Sequence, residues 1–384
     1  MTNKTCTENI HKQVCPFSAT ENKQGCNHYV FIVILCSCVI LWICLYSCGT
    51  AGQSVHNTSP NIAKKNKGAL FINPVLNQDF ADPTVIKADG FYYAYATNTG
   101  GKNGGMINIQ VARSKNLVQW ELLGDALPQQ PTWANKDFWA PHVIYDSVLN
   151  KYFLYYSGES ISDSVGKCLG VAVSSSPAGP FVDKGNPIIC GETFVNIDPM
   201  AFDDPVTGKK LLYWGSGFKP IKVRELADDR INFKPGSITR DLVFPVTDKD
   251  PANYQRLIEA AWVDYNNGYY YMYFSGDNCC GEKAHYGVMI ARSKSATGPF
   301  ENKSGETSGK YPIILEKNSA WIAPGHNSVV KDGAGVKWII YHAIDSAQRK
   351  GGRIMLIDKI NYINGWPNIS NGTPSTDSTN APGR

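Results

Sequence analysis

The chain of 384 residues repeats one pattern five times, and this repeat limits its fold more than any other feature. Each unit runs through a short apolar segment, a turn, an aromatic strand and a more polar strand that ends near Gly or Pro. The five openings are ADPTVIKADGFYYAYAT, WAPHVIYDSVLNKYFLYYSG, IDPMAFDDPVTGKKLLYWGS, IEAAWVDYNNGYYYMYFSG and GHNSVVKDGAGVKWIIYHA. A unit of about 60 residues with four strands is typical of a propeller blade. The repeat therefore predicts an all-β, five-bladed β-propeller over residues 71–369.

Composition agrees with this fold class and excludes one class of partner. Aromatic residues make up 11% of the chain, and no long segment of the repeat region has the apolar period of an amphipathic helix. The net charge is only +4, with 18% charged residues and no basic stripe. Nucleic-acid binding requires such a stripe, so no nucleic-acid partner is predicted.

The segments outside the repeat predict an exported propeller. A polar tail (1–28) precedes Tyr29–Cys48, an uncharged apolar run that is long enough for one membrane helix. Residues 49–70 read as a stalk, and 370–384 as a disordered tail. An uncleaved signal anchor with the propeller outside the cytosol is the favoured interpretation. A cleaved signal peptide, which would release a secreted protein, and a lipoprotein signal ending at Cys48 stay open.

The cysteines of the repeat region are few. Cys168 and Cys190 form a reasonable disulfide pair in an oxidising compartment. The neighbours Cys279 and Cys280 are compatible with a vicinal disulfide, and they lack the paired CxxC spacing of a structural zinc site.

Equivalent repeat positions point to a site in the central channel. The first strand of each blade lines that channel, so the residues that open the five units form a ring, namely Asp82, Ala140, Asp198, Glu259 and His326, each one repeat unit after the last. Three carboxylates with restricted water raise one another's pKa and cost stability. Such strain indicates an acid–base site, and channel acids that bind a structural cation are the alternative.

The order of the blades suggests a role for each acid. Asp198 and Glu259 lie in neighbouring blades, so Asp198 should raise the pKa of Glu259 and keep it protonated as a general acid. Asp82 would face Glu259 across the channel with room for a water. Inverting glycoside hydrolysis uses an acid and a base about 6.5–9.5 Å apart, whereas the adjacent Asp198–Glu259 pair leaves a retaining mechanism as the alternative.

Five motifs in order make residues 71–369 resemble glycoside hydrolase family 43. They are ADP at Asp82, FWAPHV around Trp139, NIDP at Asp198, IEA at Glu259 and the closing GRIMLIDKI…GWP. The resemblance implies an inverting mechanism with Asp82 as general base, Asp198 as pKa modulator and orienting group, and Glu259 as general acid. Related propeller families that retain configuration use an Arg-Asp-Pro motif and a Glu-Cys acid, and this chain has neither.

The same resemblance extends to ligands. It implies that His326 helps to hold one structural calcium ion, largely through water, and it implies no organic cofactor. It also places Arg353 toward the substrate, although a surface salt bridge is an equal interpretation. Phe80, Trp139 and Trp214 flank the ring residues, where each would either stack on a sugar or fill the core between blades.

The predicted function is inverting hydrolysis of plant-type poly- or oligosaccharides that contain arabinose or xylose, with α-L-arabinofuranosyl linkages favoured. A β-xylosidase of the same fold is one alternative, but many β-xylosidases append a β-sandwich for which the chain leaves no length. A carbohydrate-binding propeller without catalysis is a second alternative, and a propeller that binds proteins a third. All three acids are present, which favours the enzyme.

Overall fold

The computed structural model describes residues 69–101, 104–162, 164–215 and 217–383. These residues form five antiparallel sheets of four or five strands, and the sheets follow one another along the chain. The predicted five-bladed all-β propeller is confirmed. The predicted tail, membrane segment and stalk up to residue 68 lie outside the described residues. No helix in the described ranges is long and apolar enough to cross a membrane.

The strands follow the repeat. The described chain begins with β1 (Leu70–Phe71). Blade 1 consists of β2 (Thr84–Ala88), β3 (Phe91–Ala96), the hairpin β4 (Thr99–Gly100) and β5 (Met106–Ile107), β6 (Gln110–Ser114) and β7 (Glu121–Asp125). Blade 2 consists of β8 (Ala134–Asp146), β9 (Lys151–Ser160), β10 (Lys167–Ser174), β11 (Val182–Asp183) and β12 (Ile189–Gly191). Blade 3 consists of β13 (Met200–Asp203), β14 (Lys210–Trp214), β15 (Ile221–Glu225) and β16 (Arg240–Val243).

Each of the last two blades has four strands. Blade 4 consists of β17 (Ile258–Asn266), β18 (Tyr269–Asn278), β19 (His285–Ser293) and β20 (Ile313–Leu315), preceded by a 3-10 turn at Tyr254–Arg256. Blade 5 consists of β21 (Trp321–Lys331), β22 (Lys337–Asp345), β23 (Ile354–Ile363) and β24 (Trp366–Ile369), with 3-10 turns at Arg349–Gly351 and Ser370–Gly372. The final strand is β25 (Thr379–Asn380).

Turn residues and strand composition explain the blades locally. Asp89–Gly90 joins β2 to β3 and Asn267–Gly268 joins β17 to β18, and all four residues have positive φ. Two-residue hairpin turns of this kind match the twist of the strands and favour Asn or Asp followed by Gly. The aromatic run of β18, YYYMYFSGDN, suits a pleated surface that is buried on both faces.

The core lies between the blades. Among the described residues, five large clusters of buried apolar side chains each join two neighbouring blades. A fully buried large apolar side chain contributes about 1.5–3 kcal/mol. These layers fix each blade against the next and so set the positions of the residues that open the first strands.

The two ends of the described chain meet each other. β1 pairs with β25, with Leu70 opposite Asn380 and Phe71 opposite Thr379. The prediction of a disordered tail from residue 370 is wrong for this part, because the tail's short strand finds its partner at the start of the described chain. Phe71 also packs edge-on against Trp338 in blade 5.

Two disulfides match the pairs that the sequence suggested. Cys168–Cys190 joins β10 to β12. Cys279–Cys280 forms the turn directly after β18.

Candidate active site

A left-handed backbone marks the residue that opens each blade. At the five ring positions, which are Asp82, Ala140, Asp198, Ala260 and His326, φ lies between 47° and 59°. Blade 4 therefore departs from the predicted ring, because Ala260 takes the ring position and Glu259 precedes it. The pairing of Glu259 with Ser275 matches that of Trp139 with Ser157, which shows the same one-residue offset.

Each ring amide is held by the blade before it. The backbone N–H groups of four ring residues donate to side chains at one repeated position of the second strand, namely Thr97, Ser157, Ser275 and His342. In blade 3 the residue that follows β14 is Gly215, which has no side chain to offer. There the Ala260 amide donates to Asp198 Oδ2 over 3.1 Å instead. This hydrogen bond ties the Asp198 carboxylate to the backbone beside Glu259.

Asp82 lies among cationic and polar partners. Its Oδ1 accepts from Arg353 Nη1 over 2.8 Å and lies 3.2 Å from His326 Nδ1. Its Oδ2 accepts from the Thr97 hydroxyl. Burial alone would raise the pKa of Asp82, but the charges of Arg353 and His326 hold it well below the usual value. Asp82 is therefore ionised at any pH near neutral.

Asp198 and Glu259 have the opposite environment. Burial, together with the charges of Glu259 and Asp82, raises the pKa of Asp198 to about 8 against the opposing charge of His326. Burial also raises the pKa of Glu259, although a hydrogen bond from the Tyr286 hydroxyl over 2.7 Å lowers it. The pair therefore retains a proton near neutral pH. One ionised carboxylate and one protonated pair in the same channel can carry out general acid–base chemistry.

Two histidines lie beside the carboxylates in different states. Burial alone would lower the pKa of His326, but Asp82 and Asp198 raise it to about 9. His342 is fully buried, and burial lowers its pKa to about 4. Its Nδ1 accepts from the Asp82 amide over 3.1 Å, which requires the neutral form.

The carboxylates open into a cavity of about 700 Å³. Asp82, Asp198 and Glu259 line its base together with His326 and Arg353. The remaining wall comes from blades 2, 3 and 4, at residues Trp139, Thr193–Val195, Ile197, Gly217–Lys219, Leu257 and Asp277–Cys280. A cavity of this size and lining suits a small polar ligand or one end of a chain.

The structure separates the four predicted substrate contacts. Trp139 and Arg353 line the cavity. Phe80 is fully buried in the core between blades 5 and 1, and Trp214 in the core between blades 2 and 3. Of the two interpretations left open for Phe80 and Trp214, core packing holds and sugar stacking is wrong, because these aromatic positions face the layers between blades.

Trp139 is stacked with two other side chains, Lys167 and Phe194. The buried Lys167 ammonium lies 3.9 Å from its ring centroid and is paired with Asp137 and Glu159. Phe194 stacks on the same indole at 6.2 Å and is 53% exposed. The aromatic surface offered to the cavity therefore includes the ring of Phe194, which sequence reasoning missed.

Sequence reasoning also missed Tyr286, Lys167 and His342. The register places Lys167 opposite Glu159 and Tyr286 opposite Asp277. These positions are equivalent to that of Arg353, which directly precedes β23. The segments KCLGVAV, YGVMIAR and RIMLIDK align on this basis. Arg353 was selected from the family resemblance, and alignment of the third strands on it would have added Lys167 and Tyr286 as candidates.

Few of the described side chains lie where they could bind the predicted calcium ion. In the part of the chain that the structure describes, no group of three or more His, Cys, Asp or Glu side chains is arranged as a metal site. Asp82 Oδ1 and Asp198 Oδ2 lie 3.2 Å and 4.0 Å from His326 Nδ1. Calcium takes six to eight oxygen ligands. These residues fit a calcium ion only if water supplies most of its ligands, so the site stays a prediction.

Comparison with known proteins places this propeller in a family. The model for glycosyl hydrolases family 43 matches residues 71–367. The chain therefore belongs to this family of glycoside hydrolases, as the sequence motifs suggested.

Relatives of known activity are similar over most of the chain. The extracellular endo-α-(1→5)-L-arabinanase 1 of Bacillus subtilis (strain 168) is 31% identical over 308 residues, which is 76% of this chain and 88% of that protein. The extracellular exo-α-(1→5)-L-arabinofuranosidase ArbA of Cellvibrio japonicus is 26% identical over 76% of this chain and 86% of its own length. The solved structure of a native Bacillus subtilis arabinanase superposes with a TM-score of 0.63 at 28% identity, and covers 76% of this chain and 98% of that one.

Proposed function

We propose that the protein hydrolyses α-L-arabinofuranosyl linkages of arabinan with inversion of configuration. The observation that carries the proposal is the opposite electrostatic treatment of the carboxylates that line one cavity. Asp82 is held ionised, while burial keeps a proton on the Asp198–Glu259 pair. The named activities of the relatives supply the substrate class.

In the proposed reaction Asp82 is the general base. Its carboxylate accepts a proton from water as that water attacks the anomeric carbon, and the glycosidic bond breaks on the opposite side. The bonds from Arg353 and Thr97 fix the carboxylate in one orientation. The geometric requirement is that its free lone pairs face a water held in the cavity.

Glu259 is the proposed general acid. It transfers its proton to the departing glycosidic oxygen, which leaves as an alcohol. Asp198 supports it in two ways: the two acids share one proton, since the charge of Glu259 raises the pKa of Asp198, and the bond of Asp198 to the Ala260 amide fixes the adjacent backbone. The proton that Asp82 gains balances the one that Glu259 loses, and solvent exchange restores both.

Sugar binding falls to the cavity wall. We assign Arg353 to a sugar hydroxyl at the cleaved unit, because it reaches the cavity while it remains bonded to Asp82. The apolar face of a furanose would lie against Trp139 or against Phe194, the exposed ring that stacks on it.

The test is a hydrolysis screen of the purified full chain on linear arabinan, arabino-oligosaccharides, xylo-oligosaccharides and the aryl glycosides of both sugars. We expect release of arabinose or short arabino-oligosaccharides, and loss of that activity in the Glu259→Gln control. Preferential cleavage of xylosides would replace the substrate assignment with β-xylosidase. Binding of arabinan without hydrolysis by the wild type would contradict the enzyme and favour a carbohydrate-binding propeller.

The cellular location is proposed on two grounds. The uncharged run 29–48 is long enough for a signal anchor, and two relatives are described as extracellular. We propose a membrane-anchored protein with an extracellular or luminal propeller. A mature N-terminus near Gly52, found by peptide sequencing, would replace the anchor with secretion.

A hydrated calcium ion at His326 is the last part of the proposal, and its binding would require this histidine to release the proton that Asp82 and Asp198 hold on it. Addition of EDTA should lower the unfolding temperature, and CaCl₂ but not NaCl should restore it, because an ion that binds only the folded chain stabilises it. His326→Ala should remove this response. An unfolding temperature that EDTA leaves unchanged in the wild type would contradict the site.

A further inference from the structure

Tyr286 joins the proposed acid to the body of the propeller. Its hydroxyl donates to Glu259 Oε1 over 2.7 Å, and the side chain is 1% exposed. Burial and the nearby Glu259 raise the pKa of Tyr286 well above its ordinary value. The phenol therefore stays protonated and acts as a permanent hydrogen-bond donor.

The fold makes room for this ring and fixes its plane. Gly325 lies beside it, and a Cβ at that position would overlap Cδ1 and Cε1 of Tyr286. The other partner is His342, whose ring is parallel to the phenol within 2° at 5.8 Å between centroids. His342 in turn accepts from the Asp82 amide. One stacked pair of rings thus connects the proposed acid to the backbone of the proposed base.

This contact assigns the two oxygens of Glu259 different tasks. Among the described residues, Glu259 Oε1 is the one acceptor of the Tyr286 hydroxyl. A proton on Oε1 that donated to the phenol oxygen would leave the phenol proton without a partner, which is costly for a buried group. The proton of the neutral carboxyl then resides on Oε2. A carboxyl without this hydrogen bond would carry its proton on either oxygen, and the carboxyl group would rotate between orientations.

We propose that Tyr286 is a positioning residue that confines the transferable proton of Glu259 to Oε2 and holds that oxygen toward the cavity. The inference rests on the proposed function, since it assumes that Glu259 is the acid. It identifies a residue outside the carboxylate set whose hydroxyl influences proton transfer without touching the substrate.

The test compares Tyr286→Phe with the matched control Tyr213→Phe in the full chain. Tyr213 is equally buried, and its hydroxyl donates to the Ala296 carbonyl in the core between blades 3 and 4. Both variants lose one buried hydroxyl bond, so a merely structural effect should be similar in the two. Activity is measured across pH on an arabino-oligosaccharide and on an aryl arabinofuranoside.

Tyr286→Phe should move the alkaline limb of the oligosaccharide profile upward by about one pH unit, because Glu259 loses a bond that favours its ionised form. The other groups that act on Glu259, Asp198, Asp82, His326 and Arg353, are unchanged in this variant. Turnover of the oligosaccharide should fall roughly ten- to hundredfold, a part of what general acid catalysis contributes. The aryl glycoside needs less protonation and should lose less.

A second variant keeps the test valid if Tyr286→Phe fails to fold. Incorporation of 3-fluorotyrosine at position 286 retains the ring and makes the hydroxyl a stronger donor, so the alkaline limb should move downward. An unmoved limb in either folded variant, or equal losses on both substrates, would overturn the inference. If the wild type is inactive, or Glu259→Gln retains full activity, the proposed function fails and the role of Tyr286 with it. A ¹³C NMR titration of Glu259 would then still show whether the hydrogen bond exists.

Discussion

The two sides of the channel treat a carboxylate in opposite ways. Asp82, where blade 5 meets blade 1, is bonded to Arg353 and lies beside the protonated His326. Glu259, in blade 4, accepts from the neutral hydroxyl of Tyr286. Burial raises the pKa of both acids, but of the two only Asp82 is bonded to a cation, and its pKa falls below the usual value while that of Glu259 stays raised. The repeated fold thus supplies equivalent positions for the acids, while the residue at the start of the adjacent third strand, Arg353 or Tyr286, influences the pKa of the carboxylate at each position.

The largest effect is expected from Asp82→Asn. The amide cannot accept a proton from water, so turnover should fall by about 10²–10⁴-fold or more whatever the leaving group. The measurement is kcat on an arabino-oligosaccharide and on an aryl arabinofuranoside. Substantial rescue by the good leaving group would show that Asp82 is the acid and that the two sides have been exchanged.

Glu259→Gln should show a different dependence on substrate. The oligosaccharide, with an alkoxide leaving group, should lose about 10²–10⁴-fold, whereas an activated aryl glycoside should lose far less because it needs little protonation. The ratio of kcat/KM for the two substrates measures this contrast. Equal losses would contradict the assignment of Glu259 as the proton donor.

Arg353→Gln should reduce the difference in pKa between Asp82 and Glu259. Arg353 lowers the pKa of Asp82, so its removal should raise that pKa. The acidic limb of the kcat/KM profile should therefore move to higher pH, by about one unit for a tenfold change in proton affinity. Arg113→Gln, which removes an exposed pair with Glu121, is the control and should leave the limb in place. A higher KM with an unmoved limb would restrict Arg353 to substrate binding.

The smallest effect concerns stability. Asp198 has a folded-state pKa of about 8, above its unfolded value, so its burial costs stability above the unfolded pKa and this cost is relieved as the pH falls. Asp198→Asn should raise the unfolding free energy at pH 7.5 by roughly 2 kcal/mol and by less at pH 5. Asp82→Asn should do the reverse at pH 7.5, since Arg353 and His326 lose their anion. Thermal unfolding at both pH values checks this, and destabilisation by Asp198→Asn at pH 7.5 would contradict the raised pKa.

The repeat made the fold and the carboxylates predictable, because its period is visible in the first strands without any structure. Three details did not follow from it. Glu259 lies one residue before the ring position, which Ala260 occupies, and the repeat pattern did not show this offset. Trp214 could not be separated from Trp139, because aromatic residues suit both a core and a cavity wall.

The third detail is the set of partners behind the site. Tyr286 and Lys167 lie in the third strands, at the repeat position of Arg353, and were missed because only the first strands were aligned. The contacts that set each pKa run between blades, and only packing reveals them. Residue type and spacing therefore locate the acids, whereas their protonation states depend on the assembled ring.

Inversion is tested most directly by the configuration of the sugar first released. The full chain is incubated with a linear α-1,5-linked arabino-oligosaccharide, and ¹H NMR spectra are recorded within the first minutes, before the anomers equilibrate. A base and an acid on opposite sides of the channel predict that the β-anomer appears first and that the α-anomer grows only by mutarotation. Initial release of the α-anomer would contradict a direct attack of water and would require a nucleophile on the protein.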